Sequence, residues 1–503
     1  MHIINMIFSD FEKENIKYCH FKSNQHLNAS FEGESDFDIL LDTHRHFEIE
    51  NILLKHKCKR FEPEYIGSYP SVMNWIAFDS ETGKLFHLHL HYSIVSGKSL
   101  VKDYALPWNK LFLDSAIIGE QKIRILCPEA EILLLVSRLI IKSKLYTDIK
   151  SCIVGLKFSP DIKAEYTYLK NRIDPNVLNS YALLMFSENI AKKIVSVILR
   201  SDHFFRSDWF MIRKTIRYEL KLYRRMSGFT AFLKSLFLRI SDLRRKFCSR
   251  KCQIDCITKK VTVTGGKMIA FIGVDGCGKS TISYEIYKWM KNKIEVKNFY
   301  MGEGDGKTTL FVSFIKKIKT ILKVKNTNSS THATETQKIS KLSLIKHPKK
   351  FIKKFIHSLL IFSIVKNNHK KIIRMNKYRI NGGFCIMDRY PQLQSEGMND
   401  GLKLSHLSNQ IKSAIIDHLS IKERKLIGIV NKIYPDIIFR FRISPETSMK
   451  RKPEEQVDYQ SIKDKIKDCE ALKFNGSKLI EIDAEKSLEE VILSVKTYIW
   501  SEI

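Results

Sequence analysis

The sequence predicts an α/β protein in two parts, and three observations predict it. Across residues 267–503, short apolar runs alternate with helical segments, the pattern of a parallel sheet covered on both faces. One of those runs leads straight into a glycine-rich loop and a helix, over residues 268–291. Before residue 105, helix-like and strand-like segments alternate in an α+β pattern, and from there to residue 250 the pattern turns helical. With 503 residues, 44% hydrophobic and 11% aromatic, the chain is too long for one core and apolar enough to fill two or three.

In chain order, Ile4, Met6, Ile7 and Phe11 give the first segment an amphipathic helical spacing. Residues 37–41 and 84–94 read as strands; residues 130–141 and 181–199 carry helical apolar spacing. Residues 244–260 are basic and weakly patterned and, with 262–266 following, read as a linker. Strand-like runs then come at 268–274, 384–387, 437–441 and 479–482. Helical segments lie between and after them, at 282–291, 407–421 and 488–503. The polar tract 326–337 lacks any period and reads as a surface loop. The domains expected are therefore a core at 1–104, a helical extension at 105–250, a basic linker at 251–266 and a second domain at 267–503, with a basic insertion at about 307–371.

Residues 1–10 show no basic stretch leading into an apolar run and a small-residue cleavage site. The best apolar stretch, 358–365, is flanked by lysines and far too short to span a bilayer. A cytoplasmic protein is expected, with its 10 cysteines reduced. Cys248, Cys252 and Cys256 would stack on one face of a helix, but that spacing matches no zinc pattern, and linker cysteines are the plainer reading. Charge is concentrated: residues 200–260 hold 17 Lys/Arg against 5 Asp/Glu, and 307–380 hold 19 against 1, nearly all of the net +31. Such stretches attract phosphate-bearing ligands, nucleic acid or an anionic membrane face, or simply form a solvated surface. A homodimer is equally open.

The strongest motif is Gly273, Val274, Asp275, Gly276, Cys277, Gly278, Lys279, Ser280 and Thr281, which fits G-x-x-x-x-G-K-[ST] between a strand and a helix. A chance match somewhere in a chain of this composition is about 1%. Gly276 and Gly278 let the backbone turn its N–H groups inward onto phosphate oxygens, and the helix adds its positive end. Lys279 reaches the β- and γ-phosphates, and the Ser280 hydroxyl can ligate Mg²⁺. ATP and Mg²⁺ are the expected cofactors of a P-loop NTPase fold.

This loop, with Asp275 inside it, resembles the P-loop of the thymidylate kinases. Asp388, Arg389 and Tyr390 at the end of a strand are similar to that family's Asp-Arg-Tyr. Tyr434, Pro435 and Asp436, then Ser444, Pro445 and Glu446, resemble its late strand and turn, and Lys450 and Arg451 its lid entry. The closing strand and helix, 478–491, resemble its last elements. The resemblance implies that Asp275 faces the acceptor, that Asp388 supports the metal shell and that Arg389 grips an anionic group. It also implies that Arg451, with Lys452, closes over the phosphates as the phosphoryl group transfers. The chain departs from the family at residues 301–306, where an Arg-Glu-Pro segment is expected, and at 391–396, where a Ser and Gln that hold thymine are missing. The basic insertion is foreign to it as well. Phosphoryl transfer from ATP to a small phosphorylated or hydroxylated acceptor is implied; thymidylate itself does not follow.

In the first domain, Asp36 and Asp38 alternate on a strand and so point to one face, where two carboxylates can hold Mg²⁺ against a triphosphate. With Lys22 and Ser23 ahead of them, they resemble the nucleotidyltransferase fold, and residues 127–135 resemble the helical extension of its bacterial members, which accompany polysaccharide-biosynthesis enzymes. His87, His89 and His91 stand where the family's third carboxylate would fall. They form either a metal-binding face or a polar sheet face. A sugar or sugar-phosphate acceptor is the alternative to a nucleoside monophosphate; an ATP-binding protein attached to a polyanion or membrane, without transfer, is the alternative to a kinase.

Overall fold

The structure, a computed structural model, describes residues 2–63, 66–143, 159–200, 206–252, 255–301, 348–395, 400–410, 413–453 and 458–503. Most of the basic insertion, and all of the polar tract 326–337, lie outside the described residues. The chain divides into two compact units, Met1–Cys252 with Thr258–Val263, and Gln253–Ile257 with Thr264–Ile503.

The first unit holds β1 (Tyr18–His20), β2 (Phe37–Leu41), β3 (Lys59–Glu62), β4 (Val72–Phe78), β5 (Leu85–His91), β6 (Ile94–Ser96) and β7 (Tyr104–Leu106). It also holds β8 (Ile117–Ile118), β9 (Arg124–Ile125) and β10 (Val261–Thr262). Eight of these form one mixed sheet in the order β10-β3-β4-β5-β2-β1-β9-β8, and β6 pairs with β7. Strands β2 and β5 run parallel, with Asp38 opposite His89. Helix Ile3–Lys13 lays Phe8 and Phe11 over Tyr18, the nearer pair stacked 4.9 Å apart.

A second core joins helices Pro128–Lys142, Pro160–Lys170 and Pro175–Met185 through Leu133, Leu169, Leu178 and Ala182. Ser159 and Asp174 cap the latter two, each just ahead of a proline. The apolar spacing of 181–199 runs across a break between Pro175–Met185 and Glu188–Arg200. At that break, Ser187 gives its backbone N–H to the Glu219 carboxylate at 2.7 Å. Periodicity misses the break because Ala182, Met185, Ile190 and Ile194 all face one core. The basic stretch before residue 252 is the end of a long helix, Gly228–Cys252. Cys256 lies beyond that end, so the three thiols do not share one helical face.

The second unit is built on β11 (Met268–Ile272), β12 (Val296–Tyr300), β13 (Phe384–Asp388), β14 (Ile437–Arg442) and β15 (Lys478–Asp483). All pairs are parallel, in the order β12-β13-β11-β14-β15. The central β11 is buried along its whole length, as an apolar run in a doubly covered sheet must be. On one face Met268, Ala270, Cys385, Met387 and Ile438 pack against Ile372, Met375 and Tyr378 of helix Pro348–Ile380. On the other, Phe271 stacks on Phe439, with ring centres 5.5 Å apart. The segment expected as one helix at 407–421 is two, Lys403–Gln410 and Ala414–Val430. The buried Glu423 of the second accepts the N–H groups of Lys403, Leu404 and Ser405, so a carboxylate sits on the positive end of the first. Among the described residues, no helix is long and apolar enough to cross a membrane.

Candidate functional site

Parallel strands end on one edge, and in open α/β sheets ligands bind just outside that edge. Gly273 leaves β11 there, and helix Lys279–Lys291 begins six residues later. Gly276 has φ +85°, and a Cβ there would meet the carbonyl oxygen of Ser448 at 2.8 Å. The Ser448 hydroxyl donates to the carbonyl of Asp275 at 2.7 Å, fastening helix Pro445–Arg451 to the loop. Ser444 caps that helix and Pro445 opens it, while its last residue, Arg451, reaches the same space as the loop.

That space is a cavity of about 450 Å³, walled by residues 275–282 and by Arg389, Arg451, Lys452 and Lys486. Lys279 is buried in the loop, its ammonium donating to the Val274 carbonyl at 2.7 Å and to Cys277 Sγ at 3.7 Å. Burial pushes the Cys277 thiol up, so it serves as packing and not as a thiolate.

The register of β11 and β13 sets Phe271 opposite Asp388, which brings the Asp388 carboxylate to the loop. Ser280 Oγ donates to Asp388 Oδ2 at 2.6 Å. Asp388 Oδ1 is buried without a hydrogen-bond partner among the described residues. An orphaned carboxylate oxygen beside a loop hydroxyl is the donor set a hydrated Mg²⁺ fits.

Arg389 follows at once, with φ +80°, a left-handed backbone that a residue with a Cβ adopts at a cost of about 1 kcal/mol. The turn aims its guanidinium at Asp275 Oδ1, 3.1 Å away, and at Asp400 Oδ1, 3.3 Å away. Burial works against its charge, but Asp400 and Asp275 more than offset that and raise its pKa. Asp275 is likewise held below the usual carboxylate range, burial opposing and the charges of Lys279 and Arg389 prevailing. Asp400 is pushed up by burial, against the pull of Arg389. Asp400 also lines a second, smaller cavity of about 60 Å³, whose other walls include Ile361, Val365, Asn368, Leu426 and Ile427. Asp400 therefore ties Arg389, on the wall of the first cavity, to the second.

Asp400 had no signal in the sequence, being one of two acids in a polar stretch without a motif. Ser448 had none either, since its role is to be small and close to Gly276.

In the first unit, Asp36 and Asp38 engage different partners. Asp36 Oδ1 lies 2.9 Å from His87 Nδ1. Asp38 Oδ1 takes Lys22 Nζ at 2.8 Å, His89 Nδ1 at 2.8 Å and His91 Nε2 at 3.3 Å. Burial opposes ionisation of Asp38, yet Lys22 and the two histidines hold its carboxyl well below its usual range. Burial lowers His87 to about 4 and His91 to about 3, keeping both neutral at physiological pH. Nearby, the Asn24 amide joins the buried Glu131 carboxyl at 2.7 Å, and burial lifts that carboxyl to about 7. The donor set at Asp38 is one carboxylate and two imidazoles, with an ammonium already on the carboxylate.

No protein-family model matches the chain. It is similar to the uncharacterized ATP-binding protein YghR of Escherichia coli strain K12, 25% identical over 228 residues that cover 45% of this chain and 83% of YghR. It is also similar to the uncharacterized ATP-binding protein YghS of the same strain, 24% identical over 233 residues, 46% of this chain and 92% of YghS. Among solved structures, a deoxyadenosine kinase from M. mycoides with bound dATP aligns at 15% identity and a TM-score of 0.27, over 46% of this chain and 98% of that one.

Proposed function

We propose that the second unit transfers the γ-phosphoryl group of ATP to a small acceptor held beside Arg389, and that the acceptor is a nucleoside monophosphate. The observation that carries this reading is the Arg389 guanidinium, which lines the loop cavity and is held by two carboxylates, one of which, Asp400, lines the aliphatic cavity. The names of YghR and YghS, both ATP-binding proteins, support ATP as the nucleotide.

In this reading the backbone of residues 273–281 cradles the triphosphate and Lys279 gives up the Val274 carbonyl for the β- and γ-phosphates. Ser280 and Asp388 would hold Mg²⁺, which neutralises charge on the β- and γ-oxygens. Arg451 and Lys452 close the phosphate side. An acceptor oxygen forms the new bond to the γ-phosphorus as the bond to the bridging oxygen of ADP breaks, and ADP leaves. Asp275 is a weak base because Lys279 and Arg389 stabilise its anion. A hydroxyl acceptor needs a proton removed, whereas a phosphomonoester dianion does not, and a phosphate is what a guanidinium fork grips. The aliphatic walls contributed by Ile361, Val365, Leu426 and Ile427 suit a flat base better than a polyhydroxylated sugar. The loss of the thymine-holding Ser and Gln leaves which base open to the same assay.

The test is ADP release with purified full-length protein, ATP and Mg²⁺, offered nucleoside monophosphates, nucleosides, sugars and sugar phosphates. Turnover with a monophosphate alone is expected. Equal ADP release with and without every acceptor would remove the kinase reading and leave an ATP-binding protein. For the first unit we keep the nucleotidyltransferase-like reading as a proposal of fold; Lys22 on Asp38 argues for ligand binding there in place of nucleotidyl transfer.

A further inference from the structure

We propose that helix Gly228–Cys252 lies in the plane of an anionic lipid surface and buries its apolar face there. The helix has 25 residues and is about 37 Å long at 1.5 Å per residue. Among its less exposed residues, which also include Gly228 and Ser241 to either side, are Ala231, Ser235, Leu238, Asp242, Arg245 and Ser249. At 3.6 residues per turn these fall on one line down the helix, and apart from Leu238 they are small, polar or charged. Phe229, Leu233, Leu236, Ile240, Leu243 and Phe247 fall on the opposite line and are 43–71% exposed. A helix of a water-soluble domain does the reverse, turning its apolar line inward. Phe232 and Phe237 widen the stripe and are also exposed. An apolar face of this extent marks an interaction site.

Charge chooses the occupant. Residues 228–249 contain Lys234, Arg239, Arg244, Arg245 and Lys246 against one acid, Asp242, which pairs with Arg245 at 2.9 Å and Lys246 at 2.6 Å. By the same helical geometry, Arg239 and Lys246 border the stripe on one side and Arg244 on the other. The stripe repeats at alternating steps of four and three, the spacing of a coiled coil with a second copy. Parallel pairing would set Arg239 against the partner's Arg244, and antiparallel pairing would set the basic borders against themselves. Like charges oppose both. Anionic headgroups complement the same borders, while Phe, Leu and Ile enter the acyl boundary. Seven lysines and arginines interrupt the helix too closely for it to span, which leaves the interfacial orientation.

The experiment is co-sedimentation of the full chain with vesicles of phosphatidylcholine, alone or with about one-third phosphatidylglycerol. We expect at least about tenfold more protein on the anionic vesicles, and less as salt rises from about 0.1 M to about 0.5 M. Ile240→Glu with Leu243→Glu should abolish binding, and Arg239→Glu with Arg244→Glu should abolish the preference for anionic lipid. All four side chains are at the surface, so unchanged melting and unchanged nucleotide affinity should accompany both losses. Equal sedimentation with the two vesicle types, or full binding by the Ile240→Glu, Leu243→Glu protein, would overturn the proposal. So would a concentration-dependent dimer that this variant dissociates, because the face would then belong to a second copy.

Discussion

The constellations around Asp388 in the second unit and Asp38 in the first differ in what has been left open. At Asp388 one oxygen takes the Ser280 hydroxyl and the other is buried without a partner among the described residues. At Asp38 a single oxygen already takes an ammonium and two imidazoles. A site suited to recruiting a metal keeps an acceptor uncommitted, and accepts a cost in stability for doing so. A site whose charges are already matched is held for structure, or for a ligand that displaces one of its own members. The same residue types therefore say little until their partners are counted.

Removing the loop's cation should break this contrast most severely. Lys279→Ala takes away the ammonium buried in the loop, and we expect phosphoryl transfer to fall about 10³-fold with nucleotide affinity falling alongside. Calorimetric titration with ATP·Mg and ADP release read the two effects. Arg389→Ala sharpens the comparison at the other end of the same cavity. It should cost about 10²-fold in kcat/KM for the acceptor and leave ATP affinity within about threefold. Equal loss of ATP binding in both variants would mean that Arg389 serves the nucleotide and that the second cavity has another use.

Sequence reading reached the two units unequally, and the reason is local. The loop, β11, β13 and β14 are consecutive segments whose chemistry sits within a few residues, so glycine spacing and apolar runs disclose them. Arg389 could be named because it follows Asp388 directly. Ser448 acts only because folding brings it to Gly276 from 172 residues away, and Asp400, though 11 residues from Arg389, carries no periodic or motif signal that pairs the two. In the first unit Asp38 was visible and Lys22 stood in view, yet their ion pair depends on the register of β1 with β2, which periodicity does not specify. The last part of helix Gly228–Cys252, from residue 244, reads as linker in the sequence because its apolar line is exposed and interleaved with arginines, which blurs the usual signal.

A smaller effect should separate a matched site from an open one by stability alone. Asp38→Asn leaves the Lys22 ammonium without its counter-charge in a largely buried place, and we expect about 2–3 kcal/mol of destabilisation of the first unit. Adding Lys22→Met should restore much of it, since removing both charges also removes the desolvation cost. ATP-dependent turnover should not change. Failure of the double variant to recover would show that Asp38 is kept for its histidines instead.

The last difference is one of pH, and its sign follows from which state holds the proton. His91 titrates at about 3 in the folded chain against 6.5 when free, because burial disfavours its charge. Between those values the unfolded chain binds more protons, so stability falls as pH falls below 6.5, by up to about 1.4 kcal/mol per pH unit for one such histidine. His87, at about 4, adds in the same direction, and so does the depressed Asp38 at still lower pH. Glu131 opposes them between 4.5 and about 7, where the folded chain holds the extra proton. The first unit should therefore lose stability on acidification from pH 6.5, with a slope that His91→Gln makes shallower and Glu131→Gln makes steeper. Urea unfolding of the full chain at several pH values measures both slopes. Identical slopes in the wild type and His91→Gln would mean that the imidazole is not buried neutral, and the contrast between a closed site and an open one would lose its electrostatic basis.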